Sequence, residues 1–133
     1  MKPSLRQLVR ERAGRRCEYC HLPDFAASAS NFHLEHVFAK QHGGTDDLEN
    51  RCWCCQRCNL HKGPNLSGID PLTGGVEVLF HPRGDRWADH SLFRGVYIYG
   101  LTASGRATVV VLALNDARRI ELRQELQGLG ELI

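Results

Sequence analysis

Long apolar runs are missing from this sequence of 133 residues. A membrane-spanning helix needs about 20 consecutive apolar residues, and no run in the chain approaches that length. The N-terminus, Met1-Lys-Pro-Ser-Leu-Arg-Gln7, lacks the uninterrupted apolar core of a secretion signal. These absences argue against the membrane-protein class. We therefore expect a soluble, cytoplasmic protein that has no membrane partner.

Internal repeats and low-complexity tracts are also lacking. The residues that are present, 42% hydrophobic and 24% charged, have the balance of an ordinary globular protein. This composition excludes wholesale disorder, which requires low hydrophobicity and high net charge. The length is that of one small domain. The simplest prediction is a single domain over residues 1–133.

Basic residues gather at the N-terminus, although the net charge of the whole chain is only +2. Ser4 predicts the N-cap of a helix over residues 5–14, with a buried side formed by Leu5, Leu8 and Val9. Glu11 is the only acid among residues 1–16. The basic residues of this segment are Lys2, Arg6, Arg10, Arg12, Arg15 and Arg16.

Lys2, Arg6 and Arg10 follow one another at intervals of four and would form one basic stripe on that helix. Such a stripe suits a polyanion, so we predict that Arg6 and Arg10 contact nucleic acid. Composition alone favours the alternative slightly, in which the stripe is a solvated helix face.

Cysteine is plentiful, with six residues in the chain. In a reducing compartment metal binding explains them better than disulfides do. Two Cys-x-x-Cys pairs, Cys17/Cys20 and Cys55/Cys58, give the ligand count and spacing of a Cys₄ zinc site. Cys52 and Cys55 form an overlapping pair that could replace the second one. We prefer Cys55/Cys58, because alternation along a strand would pack Cys52 in the interior.

Between the cysteine pairs, residues 32–38 alternate as a short strand would, and residues 48–54 read as the returning strand. Alternation sends His33 and Glu35 to one face and His36 to the other. Adjacent residues that diverge do not naturally bind one ion together, which favours separate roles. Glu35 and the carboxamide of Asn59 offer oxygen ligands to Mg²⁺, Mn²⁺ or another divalent ion. The imidazole of His36 can take a proton from water.

Other polar residues lie near this pair in the sequence. Asn50 could hold the imidazole ring through its carboxamide, and Lys62, one helical turn beyond Asn59, could meet a phosphate. His33 could be an additional ligand, although a substrate-facing or packed role is favoured. The same alternatives stay open for two further histidines, His42 and His61.

The second half of the chain carries segments rich in branched and aromatic residues. We predict strands over residues 76–80, 95–99 and 107–112, with Thr102-Ala-Ser-Gly105 as a hairpin turn in a small antiparallel sheet. Asn115 is the expected N-cap of a final helix that runs to about residue 127.

Several of these motifs occur together in a known order. The motifs are His33-Leu-Glu-His36, Gly43-Gly44, Asp47-Leu-Glu-Asn50, Cys55-Gln-Arg-Cys58-Asn59 and Lys62-Gly63. Over residues 17–63 the chain resembles an HNH endonuclease of the zinc-containing ββα-metal type. The resemblance places Glu35 and Asn59 on a catalytic metal ion and His36 and Asn50 in the catalytic set, as in the His-Asn-Asn variants. Phe38-Ala39 and Cys52-Trp-Cys54 depart from the usual residues beside the motif.

The resemblance implies an α+β fold. Its parts are a ββα-metal core at 17–63 with Cys₄ zinc knuckles, a basic N-terminal helix, and an extension at 76–133 of small antiparallel sheet and final helix. It also implies metal-dependent hydrolysis of phosphodiester bonds in DNA, leaving 5′-phosphate and 3′-hydroxyl ends. The expected DNA is duplex, nicked or branched, RNA stays open, and the protein would act as a monomer or homodimer. The alternative is a catalytically inactive zinc-binding module that binds nucleic acid.

Overall fold

The computed structural model describes residues 2–27 and 31–131, which form two compact units. Unit 1 comprises Met1–Leu66 and His81–Arg86, and unit 2 comprises Ser67–Phe80 and Trp87–Ile133. Both combine helices with two-stranded antiparallel sheets, so the predicted α+β class is confirmed. That the chain forms a single domain stays a prediction.

Unit 1 contains a β-hairpin followed by a helix. Strand β1 (His33–His36) pairs antiparallel with β2 (Arg51–Cys54), and helix α2 (Gln56–Lys62) follows directly. The register sets Glu35 opposite Cys52 and His36 opposite Arg51. Cross-strand partners share a face of the sheet, so Glu35 lies with Cys52 on one face and His36 with Arg51 on the other. The predicted divergence of Glu35 and His36 is confirmed.

Helix α1 (Leu5–Arg12) precedes the hairpin and begins where its cap was predicted. The Ser4 hydroxyl accepts from the Gln7 amide at 3.1 Å, and the Gln7 side chain accepts from the Ser4 amide at 2.9 Å. This reciprocal capping box satisfies two amides that the helix itself leaves unpaired. Of the predicted buried side only Val9 is buried, since Leu5 and Leu8 are 38% and 44% exposed.

Arg12 and Arg83 support the hairpin from outside it, the first directly and the second through Glu18. Arg12, at the end of α1, donates to the carbonyl oxygens of Leu48 at 2.9 Å and Arg51 at 2.5 Å. Arg83, in the segment His81–Arg86, forms an ion pair with Glu18, whose carboxylate also accepts from the backbone amide of Trp53 at 2.7 Å. These contacts hold the start and middle of β2 from both ends of unit 1.

Unit 2 contains two hairpins and three helices. The hairpins pair β3 (Ser67–Ile69) with β4 (Val76–Val78) and β5 (Ser91–Arg94) with β6 (Tyr97–Gly100). The helices are α3 (Trp87–His90), α4 (Ala103–Val111) and α5 (Ala117–Gly128). Across residues 2–27 and 31–131, no helix has the length and apolar character needed to cross a membrane.

The strand predicted over residues 107–112 is wrong, because most of it belongs to α4. Thr102 is the N-cap of this helix and accepts from the Gly105 amide at 3.0 Å, so the predicted hairpin turn is a helix start. A Cβ at Gly105 would lie 2.0 Å from the His90 carbonyl oxygen, so only glycine permits this approach. Packing and capping therefore override the strand preference of the valines.

The N-cap of α5 is Asp116 and not the predicted Asn115. The Asp116 carboxylate accepts from the Arg119 amide at 3.0 Å. Asn115 instead pairs with the backbone of Ile98 on β6, accepting from its amide and donating to its carbonyl, each at 2.8 Å. Both residue types cap helices well, so the sequence did not distinguish them.

Candidate functional site

Four cysteine side chains meet in the interior of unit 1. The Sγ atoms of Cys17, Cys20, Cys55 and Cys58 all lie within 4.8 Å of one another. Four sulfurs that surround one zinc ion at about 2.3 Å are about 3.8 Å apart, and the distance from Cys20 Sγ to Cys55 Sγ is 3.7 Å. We call these residues the cysteine cluster. The predicted ligand set is confirmed as a site positioned for a structural metal such as zinc.

Local structure explains how the cluster forms. Cys55 is the N-cap of α2, where its sulfur accepts from the Cys58 amide at 3.4 Å. Burial opposes ionisation of Cys17, but hydrogen bonds from the neighbouring thiols lower its pKa well below the usual range. A thiolate is the form that ligates zinc. Four such ligands complete the coordination of zinc and leave no position for a reactant.

The remaining two cysteines lie outside this cluster. Cys52 is buried on β2, with its sulfur 3.9 Å from the Tyr19 hydroxyl, and burial raises its pKa to about 12. Cys54 is also buried, and its thiol donates to the Cys55 carbonyl oxygen at 3.4 Å. A thiol that resists ionisation behaves as a small apolar side chain. The preference for Cys58 over Cys52 as a ligand is confirmed.

Glu35 lies on β1 and Asn59 on α2, the two elements that the Lys62–Val37 hydrogen bond joins. The Glu35 carboxylate accepts from the His36 backbone amide at 2.9 Å through one oxygen. The half-buried carboxamide of Asn59 has no hydrogen bond from the part of the chain that the structure describes. A carboxylate and a free amide oxygen form a donor set that fits a hard divalent cation. Asn59 stands one turn before Lys62, which interacts electrostatically with Glu35.

Lys62 is buried and does not meet solvent. Its side chain is among the fully buried ones, with 1% of the residue exposed, and its ammonium donates to the Val37 carbonyl oxygen at 2.9 Å. Burial lowers the pKa of Lys62, while the nearby carboxylate of Glu35 raises it in part. These features do not support the predicted contact of Lys62 with phosphate, which stays a prediction. Lys62 instead ties α2 to the end of β1.

The imidazole of His36 lies in a small polar group on the other face of the hairpin. Its Nε2 atom is 2.7 Å from an Asp46 carboxylate oxygen and 3.2 Å from Arg51 Nη1. Lys40 also pairs with Asp46, at 3.1 Å. The side chains of His36 and Asp46 are 23% and 62% exposed. We call His36, Asp46 and Arg51 the histidine cluster.

Asn50 holds the loop between the strands. Its carboxamide oxygen accepts from the Phe38 amide at 2.8 Å, and its nitrogen donates to the carbonyls of Phe38 and Thr45 at 2.9 and 2.7 Å. Gly44 allows this closure, because a Cβ there would lie 1.8 Å from the Phe38 carbonyl oxygen. The predicted bond from Asn50 to the imidazole is replaced by these bonds to the backbone. Asn50 lies in a 3₁₀ turn (Leu48–Asn50) and not in the predicted strand.

The basic stripe of α1 is largely engaged within the protein. Arg10 forms two hydrogen bonds with the buried carboxylate of Asp24, at 2.6 and 3.1 Å, and this pairing raises its pKa. The guanidinium of Arg6 stacks over the Trp53 ring, 4.6 Å from its centroid. The pairing engages the guanidinium of Arg10, whose side chain is 33% exposed, and its contact with nucleic acid stays a prediction. Arg6 is exposed, and its contact with nucleic acid stays a prediction.

The three histidines with open roles remain without an assigned one. His42 and His61 are exposed and His33 is half-buried. Among residues 2–27 and 31–131, the cysteine cluster is the only group of three or more His, Cys, Asp or Glu ligands that could hold a metal. Within the described residues, none of these three histidines therefore belongs to a group of ligands that could hold a metal.

Sequence reasoning missed two members of the histidine cluster. Arg51 could have been found, because it directly follows Asn50 and stands opposite His36 in the register. Asp46 follows the Gly-Gly turn in the loop, and no periodicity connects it with the strand that carries His36. Only the fold of the loop brings Asp46 to the imidazole.

Comparison with known proteins agrees with this geometry. Residues 17–65 match the family model described as HNH endonuclease. Neither the curated proteins nor the solved structures contain a match to this chain. The match covers the cysteine cluster, the hairpin and α2, and it indicates a nuclease-type or nucleic-acid-binding function. Residues 17–65 therefore resemble the HNH domain of HNH endonucleases.

Proposed function

We propose that this protein is a metal-dependent endonuclease that hydrolyses phosphodiester bonds in DNA. One observation carries the proposal: the hairpin sets Glu35 and His36 on opposite faces, with the carboxylate interacting electrostatically with Lys62 on α2 and the imidazole partly exposed. Hydrolysis requires a cation near the phosphate and a base near the water, and the two must not neutralise each other. Adjacent residues that diverge supply both.

Glu35 and Asn59 would hold a divalent cation such as Mg²⁺ or Mn²⁺. When bound, the cation supplies positive charge against the scissile phosphate and the leaving 3′ oxygen. His36 takes a proton from the attacking water, since a neutral imidazole is a competent base near pH 7. The half-exposed position of its ring supports this role, because the water must reach it.

The proposed substrate is DNA in duplex, nicked or branched form, cut by a cytoplasmic monomer or homodimer. Lys40, which pairs with Asp46 and has a side chain that is 63% exposed, supports a polyanionic partner near the histidine cluster. Contacts of this kind go to the phosphate backbone and carry no sequence information. We therefore expect weak sequence preference and binding that falls steeply with salt.

The test compares nicking of supercoiled plasmid in Mg²⁺ or Mn²⁺ by the wild-type protein, His36→Ala and Glu35→Gln. Loss of a general base lowers the rate about 10²- to 10⁴-fold, and loss of the carboxylate ligand weakens metal binding, so that a higher metal concentration is needed for cutting. The matched control is His42→Ala, which removes an exposed imidazole nearby and should cut at the wild-type rate.

Equal cutting by wild type and His36→Ala would refute the role of His36 as the base. If the wild-type protein binds duplex, single-stranded and branched DNA but cuts none of them with any divalent ion, the nuclease proposal fails. The chain would then be a nucleic-acid-binding HNH module without hydrolytic activity.

A further inference from the structure

Asp46 reaches the imidazole of His36 from a loop that the structure holds in place. The neighbouring Thr45 carbonyl accepts from Asn50 at 2.7 Å, and the amide of Asp47 donates to the Thr45 hydroxyl at 3.3 Å. The Asp46 carboxylate is the nearest hydrogen-bond partner of His36 Nε2, at 2.7 Å. The loop is thus closed on both sides of the residue that meets the ring.

The Nε2 atom has two neighbours but can form a hydrogen bond with only one of them. It can donate to the Asp46 carboxylate if it carries the proton, or accept from Arg51 Nη1 if it does not. The contact with Asp46 is shorter, 2.7 Å against 3.2 Å, and its acceptor is charged. Both possible bonds involve one ionised group, but an unprotonated Nε2 would set its lone pair against the carboxylate oxygen at 2.7 Å with no proton between them, which is repulsive. The proton is therefore on Nε2.

The guanidinium of Arg51 has other acceptors in this arrangement. Its Nη1 is 3.4 Å from the same Asp46 oxygen, and its Nη2 is 3.4 Å from the Leu34 carbonyl oxygen. Lys40 pairs with the second Asp46 oxygen at 3.1 Å. Both cations face the carboxylate and help to hold it beside the ring.

A proton on Nε2 leaves the lone pair of the neutral imidazole on Nδ1. Within the described residues, Nδ1 makes no hydrogen bond, while the ring is 23% exposed. The nitrogen that can accept a proton from water is thus the one that the protein leaves unoccupied. Orientation of one ring nitrogen by a carboxylate, with chemistry at the other, is a general arrangement for a histidine base.

We propose that Asp46 is a positioning residue that fixes His36 in the tautomer protonated at Nε2, so that Nδ1 takes the proton from the attacking water. The hydrogen bond and the tautomer are properties of the protein without substrate. Only the transfer of a proton from water to Nδ1 rests on the proposed function. Arg51 and Lys40 hold the Asp46 carboxylate in place.

The first readout is the tautomer of His36, measured by long-range ¹H–¹⁵N NMR on protein labelled at histidine nitrogen. Spectra are taken at about pH 8, where free imidazole is neutral, and the His36 signals are identified by their loss in His36→Ala. Wild type should show a protonated Nε2 and an unprotonated Nδ1. Asp46→Asn should change this ratio, because a carboxamide can donate to Nε2 as well as accept from it.

The second readout is nicking by the same variants. Asp46→Asn should lower kcat about 10- to 100-fold, the usual cost of removing a carboxylate that orients a functional imidazole, with KM changed less. Asp46→Glu should recover part of the loss. The matched control is Asp47→Asn, one residue on, which removes the same charge from an exposed side chain that makes no cap hydrogen bond.

The outcomes separate this inference from the proposed function. If Asp46→Asn keeps the wild-type tautomer and kcat, as Asp47→Asn should, the inference is overturned while the nuclease function stands. If the tautomer in wild type is protonated at Nδ1, the inference is overturned regardless of activity. If His36→Ala cuts like wild type, the proposed role of His36 is refuted even where the tautomer result agrees.

Discussion

The cysteine cluster and the histidine cluster belong to the same unit and differ in almost every physical property. The cysteines are buried, with Cys17 and Cys58 at 0% and Cys20 at 4% exposure. His36 and Asp46 are 23% and 62% exposed in their side chains and lie beside a loop. A structural ion needs a closed set of ligands, whereas a group that exchanges protons with water needs access to it. The same unit therefore combines a closed cluster with an accessible one.

Helix α2 connects the two sites. It begins at the cysteine cluster, through Cys55 and Cys58, and its last residue, Lys62, donates to the Val37 carbonyl at the end of β1. A metal that fixes the start of α2 therefore also fixes Asn59 and the edge of the hairpin. Substitutions that disrupt one cluster, with zinc content, stability and nicking as readouts, test whether the other cluster depends on it.

The largest effect is expected for the metal. Cys58→Ser should lose zinc and unfold unit 1, because binding of a structural zinc is worth about 10–16 kcal/mol in small domains. The histidine cluster should be lost with it. Zinc content by mass spectrometry and thermal unfolding by circular dichroism measure both. Cys52→Ala is the control, which should keep one zinc per chain at a cost of about 1–2 kcal/mol. Zinc loss in Cys52→Ala with retention in Cys58→Ser would reverse the ligand assignment.

An intermediate effect is expected for the loop. Asn50→Ala removes three hydrogen bonds, which should lower the free energy of unfolding by about 2–4 kcal/mol. Zinc should stay bound, while nicking falls because Asp46 and His36 lose their common support. Urea unfolding and zinc content are the measurements.

Asn65→Ala, at an exposed asparagine, is the control for the loop and should change neither quantity. Loss of zinc in Asn50→Ala would mean that the two clusters are not separable in this way.

The smallest effect is expected for the connection between the clusters. Lys62→Met removes the hydrogen bond to Val37 but also removes a buried charge, so we expect a loss of only about 1–2 kcal/mol. The salt dependence of DNA binding should be unchanged, because a buried lysine releases no counterion. Lys40→Met is the control for stability, since its side chain is 63% exposed. A weaker salt dependence of DNA binding in Lys62→Met than in wild type would support the predicted contact of Lys62 with phosphate.

The parts of the fold that local chemistry determines could be predicted from the sequence. The capping box at Ser4, the Cys-x-x-Cys pairs and the alternation of Glu35 and His36 each follow from a spacing of a few residues. The parts that depend on tertiary contacts could not. The valines of α4 favour a strand locally, and the hydrogen bonds of buried Lys62 and partly exposed Arg10 go to acceptors 25 and 14 residues away.

The same distinction holds within the candidate site. Glu35, His36 and Asn59 belong to regular elements whose geometry a sequence pattern conveys. Asp46 belongs to a loop whose course depends on Asn50 and on the close approach of Gly44 to Phe38. Its role becomes visible only when the loop has folded.

Arg12 and Arg83, which support β2 from outside the HNH match, affect which fragment of the chain could fold by itself. Residues 17–65 carry the family motifs, but Arg12 precedes them and Arg83 follows them. A fragment cut at these limits would expose the carbonyls of Leu48 and Arg51 and leave Glu18 without its cation. Recombination that transferred only the motifs would deliver a hairpin without its supports. We therefore expect the smallest stable fragment to be longer than the matched residues 17–65.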